Sequence, residues 1–209
     1  MKTNWIWAGF AALAIVAGVG TEARAEQQSA KITIRVVNSA KVAAGTLAEG
    51  EKRAGWVLGQ AGVRVVWLDC TAPGSCAEDP GMNEFWLHVA NWKPAGASEQ
   101  ELGFTTFDKE TASGIGVAGV CYPMVRQVAA QIEMEEGLIL AAAMAHEIGH
   151  VLGAGHSSSG IMQAKFNRQS IVSMSQGGYV FARKQAGGIR ADAVWRNAGA
   201  GAAVVSPLR

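Results

Sequence analysis

The sequence predicts one α/β domain: a mixed, twisted sheet packed against a buried helix, with a small C-terminal part. Three observations predict it. Short β-branched or alternating runs recur between 31 and 122, and a helix-like stretch separates the first two. Residues 138–145 (Leu-Ile-Leu-Ala-Ala-Ala-Met-Ala) are apolar nearly all round, as in a helix with no solvent face. No internal repeat and no clear linker divides the chain into two folding units.

The elements follow in order. Residues 1–25 stand apart from the domain. Lys2 gives a positive start, residues 5–20 are apolar and uncharged, and Ala23-Arg24-Ala25 is a small-x-small cleavage site. This is the pattern of a secretory signal peptide, and the apolar stretch is short for a membrane span. The folded domain is therefore expected over 26–197. Residues 31–37 alternate and are β-branched, a first strand. Residues 40–61 have helical composition, with Val42, Leu47, Ala54, Val57 and Leu58 forming an apolar stripe and Gly62 ending it. Residues 63–68 and 84–90 read as the next strands. Strand, helix, strand at this spacing fits a crossover in a partly parallel sheet. His88 falls in the third strand and reads as structural. After a loop at 91–100 holding Trp92 and Pro94, residues 103–107 and 115–122 read as two more strands. Gly116 and Gly119 mark the second as an edge or irregular strand. One helix is expected over 131–152, with Glu133, Glu135 and Glu136 near its start, where acids complement the helix dipole. A last helix is expected over 182–196; residues 198–203 are Gly/Ala-rich, and 198–209 read as a mobile tail.

Within the central helix, residues 146–156 spell His-Glu-Ile-Gly-His-Val-Leu-Gly-Ala-Gly-His. This completes the pattern H-E-x-x-H-x-x-G-x-x-H, whose chance occurrence is on the order of 10⁻⁸ per position. The spacing has a physical reason. Residues four apart lie on one helix face, so His146 and His150 aim at one point. Gly153 lets the chain leave the helix, because glycine tolerates the positive φ of a helix end. His156 then folds back as a third ligand. Three imidazoles and one open position suit a catalytic Zn²⁺. Glu147 leans over the same point and is the candidate general base.

Met162 follows His156 in Ser158-Ser159-Gly160-Ile161-Met162. With His146, Glu147, His150, Gly153 and His156, it makes the stretch resemble the metzincin clan of zinc metallopeptidases, in particular small secreted bacterial members. That clan carries a methionine turn beneath the metal. The resemblance runs from 103 to about 195 and is sharp only in the zinc motif. It implies a zincin-like fold, a secreted or periplasmic endopeptidase, a polypeptide substrate and a metal site of His146, His150 and His156 above Met162. It also implies an edge strand that binds the substrate backbone, for which 115–122 is the candidate, a plain scaffold strand being the alternative. The sequence departs from the clan in two respects: the link from His156 to Met162 is short for the clan, and Gln163 and Ala164 follow Met162, where many members carry a tyrosine.

Composition limits the alternatives. Lys2, Arg24 and Glu22 leave with the signal peptide, so eighteen basic and seventeen acidic residues become sixteen each. Such a balance predicts no attraction to nucleic acid or anionic lipid, and no second stretch is apolar enough for stable membrane insertion. A monomer is expected. Cys70 and Cys76 flank the turn-rich Thr-Ala-Pro-Gly-Ser and are expected to pair, leaving Cys121 as a buried strand thiol. A non-catalytic zinc-binding module, an amidase for a non-protein substrate and a metal-free structural protein stay open.

Overall fold

The computed structural model describes residues 30–92, 101–107 and 116–203. The expected signal peptide, most of the 91–100 loop and residues 204–209 lie outside the described residues. Strand β1 spans Lys31–Asn38, helix α1 Ala44–Gln60, β2 Arg64–Asp69, β3 Glu84–Ala90, β4 Gly103–Phe107 and β5 Gly116–Cys121. Four helices follow: α2 Tyr122–Ile132, α3 Glu136–Val151, α4 Arg168–Ser175 and α5 Arg183–Ala203. The sheet order is β2-β1-β3-β5-β4. The first four pair in parallel, and β4 is antiparallel to β5. This is the expected α/β architecture with a mixed sheet.

Alternation in the strands builds the core. Ile32, Ile34 and Val36 of β1, Phe85, Leu87 and Val89 of β3, and Ala118 and Val120 of β5 are buried in one cluster. In cross-strand register, Ile34 meets Phe85 and Leu87 meets Ala118, so these residues share one face. Helix α3 lies against that face, buried from Gly137 to Gly149. Its leucine, isoleucine, methionine and valine side chains each contribute about 1.5–3 kcal/mol through burial, and its alanines less. Helix α1 packs on α3, and the bare backbone of Gly50 sets the spacing: a Cβ there would stand 2.9 Å from Leu140 Cδ2. Gly62 turns the chain out of α1 at φ +79°.

Three sequence expectations are corrected. First, the strand over 115–122 is not at the edge. β5 lies between β3 and β4, and β4 forms the border. Its glycines are contact points: a Cβ on Gly119 would stand 2.2 Å from the Phe104 ring, and one on Gly116 2.6 Å from Val151. Second, the helix expected over 131–152 starts later, at Glu136, and residues 131–132 are the end of a separate helix, α2. α2 ends at Glu133, whose φ of 54° is left-handed, and α3 starts afresh at Glu136. The three glutamates thus mark a break between helices. Third, the C-terminal helix runs on to Ala203, through positions expected in the tail. Alanine favours helix there, and Gly199 is close-packed, with a Cβ placed there only 2.7 Å from Met82 Sδ.

Helix α5 closes one end of the sheet. Asn197 Nδ2 donates to the Lys31 carbonyl at 2.7 Å, and the Arg196 guanidinium lies 4.9 Å from the Phe85 ring centroid. Helix α4 has a side-chain cap: the Asn167 carboxamide oxygen accepts from Ser170 N at 2.9 Å. Cys70 and Cys76 form the expected disulfide, with Cα atoms 5.4 Å apart, and Cys121 is a buried free thiol in β5. No described helix is long and apolar enough to cross a membrane.

Candidate metal centre

His146 and His150 stand on the last two turns of α3, one turn apart. Gly153, at φ +81°, ends the helix and reverses the chain. His156 returns over the helix end, and one nitrogen from each imidazole lies within 4.8 Å of the others. The Nε2 atoms of His146 and His150 are 3.0 Å apart, and those of His150 and His156 are 3.3 Å apart. Ligand nitrogens around a tetrahedral ion, each at about 2.0–2.1 Å, stand about 3.3 Å apart.

The outer nitrogens show why these rings suit a metal. His146 Nδ1 meets the Ile161 carbonyl at 2.8 Å, and His150 Nδ1 meets the Ala154 carbonyl at 2.7 Å. A carbonyl only accepts, so each Nδ1 carries the proton and donates it. Each Nε2 of the neutral ring then presents a lone pair. Two lone pairs facing one another at 3.0 Å repel unless a cation lies between them. Burial, more than the neighbouring imidazoles, keeps His146 neutral, pushing it down to about 4, and burial also lowers His150. The donor set therefore fits a metal ion that prefers imidazole nitrogen.

Glu147 lies beside this cluster and is 6% exposed. Its Oε2 accepts from Thr105 Oγ1 of β4 at 2.8 Å. Burial pushes its carboxyl up to about 7; the Thr105 hydrogen bond opposes the rise, and the charge of Glu101 adds to it. A carboxyl with this value exchanges protons near neutral pH. A metal cation bound alongside would pull it down.

Gly103 explains how β4 comes so close. A Cβ there would lie 2.6 Å from Glu147 Cγ and 2.6 Å from the Gly119 carbonyl. Only glycine lets the border strand pass over the carboxylate. On the other side, the ring of Phe166 meets His146 edge-on, with centroids 5.6 Å apart, and Tyr179 supports Phe166 at 6.0 Å. Met162 is buried, and a Cβ on Gly149 would stand 2.6 Å from its sulfur. The Ile161–Met162 turn thus packs against α3 while its carbonyl orients His146. Tyr179 Oη donates to Gln163 Oε1 at 2.9 Å, and Gln163 Nε2 donates to the Ser158 carbonyl.

A cleft of about 1080 Å³ opens over these groups. β4 forms one wall, α2 another and the segment after His156 a third, with the histidines and Glu147 at its floor. Residues 138–209 match a family described as "Putative peptidase family" (Metallopep). The match begins in α3 and contains the three histidines and Glu147. Together with the histidine cluster it supports a metal-dependent peptidase, whose substrates would be polypeptides. No curated protein matches the chain.

The structure thus brings His146, His150, His156 and Glu147 together and packs Met162 against the helix that carries three of them, at Gly149. Cys121 is not among the clustered metal-binding side chains. Sequence reasoning missed Thr105, Gly103, Phe166 and α2. Thr105 is 42 residues from its partner, and no local pattern marks such a contact. Helix α2 did carry a signal, the Pro123 in its first turn.

Proposed function

We propose that this protein is an exported, zinc-dependent endopeptidase of the metzincin type, released by removal of residues 1–25. The observation that carries the reading is the convergence of His146, His150 and His156 beside Glu147, at the floor of a cleft bordered by a sheet edge. A purely structural site needs its ligands but has no use for a buried carboxylate next to them. The packing of Met162 under Gly149 supports the reading of 158–162 as the methionine turn.

When bound, zinc supplies a Lewis acid that polarises the scissile carbonyl and acidifies water. The chain's own residues do the rest. His146, His150 and His156 hold the ion, and the Ile161 and Ala154 carbonyls fix the first two rings. Glu147 takes the proton of the attacking water and returns it to the leaving amine. Thr105 holds one carboxylate oxygen and so helps to fix the orientation of the base. β4, the border strand, offers its backbone to an extended substrate, which adds as a further strand.

The test combines metal analysis with cleavage of a quenched peptide library, run on the mature protein and on Glu147→Ala. We expect one zinc per chain in both, and cleavage by the parent alone, with the variant slower by roughly 10²–10⁴-fold. Zinc held without any cleavage by the parent would favour a binding module. Undiminished cleavage by the variant would remove the assigned role of Glu147.

A further inference from the structure

Helix α2 turns one face into the cleft. Met124, Gln127, Val128 and Gln131 line it at positions i, i+3, i+4 and i+7. Across from them α3 presents Ala143, 1% exposed. Ala143 stands one turn before His146, about 4.5 Å along the helix axis. An extended peptide advances about 3.3 Å per residue. A substrate residue adjoining the bond held at the histidines therefore reaches the space between α2 and α3. Ala143 is small and almost fully covered, so it closes the floor there, and a side chain would lie along the α2 residues beside it.

The chemistry of this wall is distinctive. Its four α2 residues are two apolar side chains and two amides, with no charge. The charged residues lining the cleft, other than Glu147, come from the opposite walls: Glu101 before β4, and Lys165 after the Met162 turn. Methionine is unbranched and adapts to varied apolar shapes. A carboxylate side chain placed here would shed part of its water against Met124 and Val128 and meet no counter-charge on α2.

We propose that α2 is the specificity wall of this site, and that it selects polypeptides with an uncharged, extended side chain (Leu, Met or Gln) next to the scissile bond. Met124 and Val128 supply the apolar contact. Gln127 and Gln131 supply neutral hydrogen bonds along the outer edge. The inference rests on the peptidase reading above and deepens it.

The experiment uses the zinc-loaded mature protein and two peptide series that differ only beside the cut, with Leu or with Glu. The parent is expected to favour Leu in kcat/KM by at least about 10–200-fold, the range such pocket contacts give. Met124→Lys places a cation in the wall and should shrink that preference at least about tenfold, by improving the Glu series. Gln127→Lys, a substitution at an exposed position, should move the preference in the same direction and guards against a folding defect in the first variant. Binding is read separately by fluorescence anisotropy in a Glu147→Gln background, where the same reversal of preference should appear in Kd. Cleavage by the parent with preferences unchanged in both lysine variants overturns the inference and leaves the peptidase reading intact. Absence of cleavage by the parent sinks the peptidase reading; with it, peptide binding that ignores the α2 substitutions, or no peptide binding at all, overturns the inference as well.

Discussion

Replacing Glu147 by Gln should stabilise the metal-free protein, increasingly as pH rises from about 4.5 to about 7. The carboxyl is buried beneath Gly103 and β4, which lifts its value from 4.5 to about 7. The sign follows from proton linkage. Between those two values the unfolded chain has lost the proton while the folded chain keeps it, so stability falls as pH rises through that window. One pKa unit corresponds to about 1.36 kcal/mol, so full ionisation costs the metal-free fold about 3 kcal/mol. About 2–3 kcal/mol of this develops between pH 5 and pH 8. Glutamine keeps an acceptor for Thr105 Oγ1 and has nothing to ionise. His146, held down to about 4 by burial, shifts stability the opposite way, raising it as pH climbs from about 4 to 6.5. It is present in both proteins and cancels in their difference. The assay is urea unfolding of both proteins in chelator at pH 5 and pH 8. The variant should gain about 2–3 kcal/mol over the parent between the two conditions. A gap that does not widen with pH would refute the burial argument for Glu147.

Three further outcomes are expected. Thr105→Val removes the donor that favours the ionised Glu147, so the acidic limb of kcat/KM should move to higher pH; an unchanged limb would mean that the 2.8 Å contact does not tune the carboxyl. Gly103→Ala forces a methyl against Glu147 Cγ and the Gly119 carbonyl, and should cost about 1–3 kcal/mol of stability together with most of the turnover; full activity would show that β4 can yield there. Cys76→Ser opens the small loop closed by Cys70, and should lower stability by about 2 kcal/mol with cleavage kept, as read by thermal unfolding beside a peptide assay.

Much of the fold was legible because local pattern and tertiary role coincide. The strand at 84–90 is found where its alternation puts it, and β1, α1, β2 and β4 lie within a few residues of expectation. The boundary of α2 and α3 was hidden because 131–152 is helix-favouring throughout and only the left-handed turn at Glu133 breaks it. The glycines of β5 misled for a related reason. A glycine in a strand signals either a border or a close contact. Phe104 and Val151, which decide between these, come from elsewhere in the chain.

By itself the sequence determined the chemistry on one helix and its exit. His146, Glu147, His150, Gly153 and His156 lie within eleven residues, so helical periodicity and a single positive-φ turn suffice to gather them. Tertiary structure alone decided what surrounds them: β4 rather than β5 at the sheet border, Thr105 on the carboxylate, Phe166 against His146, and α2 as a cleft wall. The physical reason is the range of the forces involved. Backbone geometry acts between residues a turn apart and is written in their order. Burial, which moves Glu147 toward neutrality and holds His146 uncharged, depends on segments that meet only when the chain has folded.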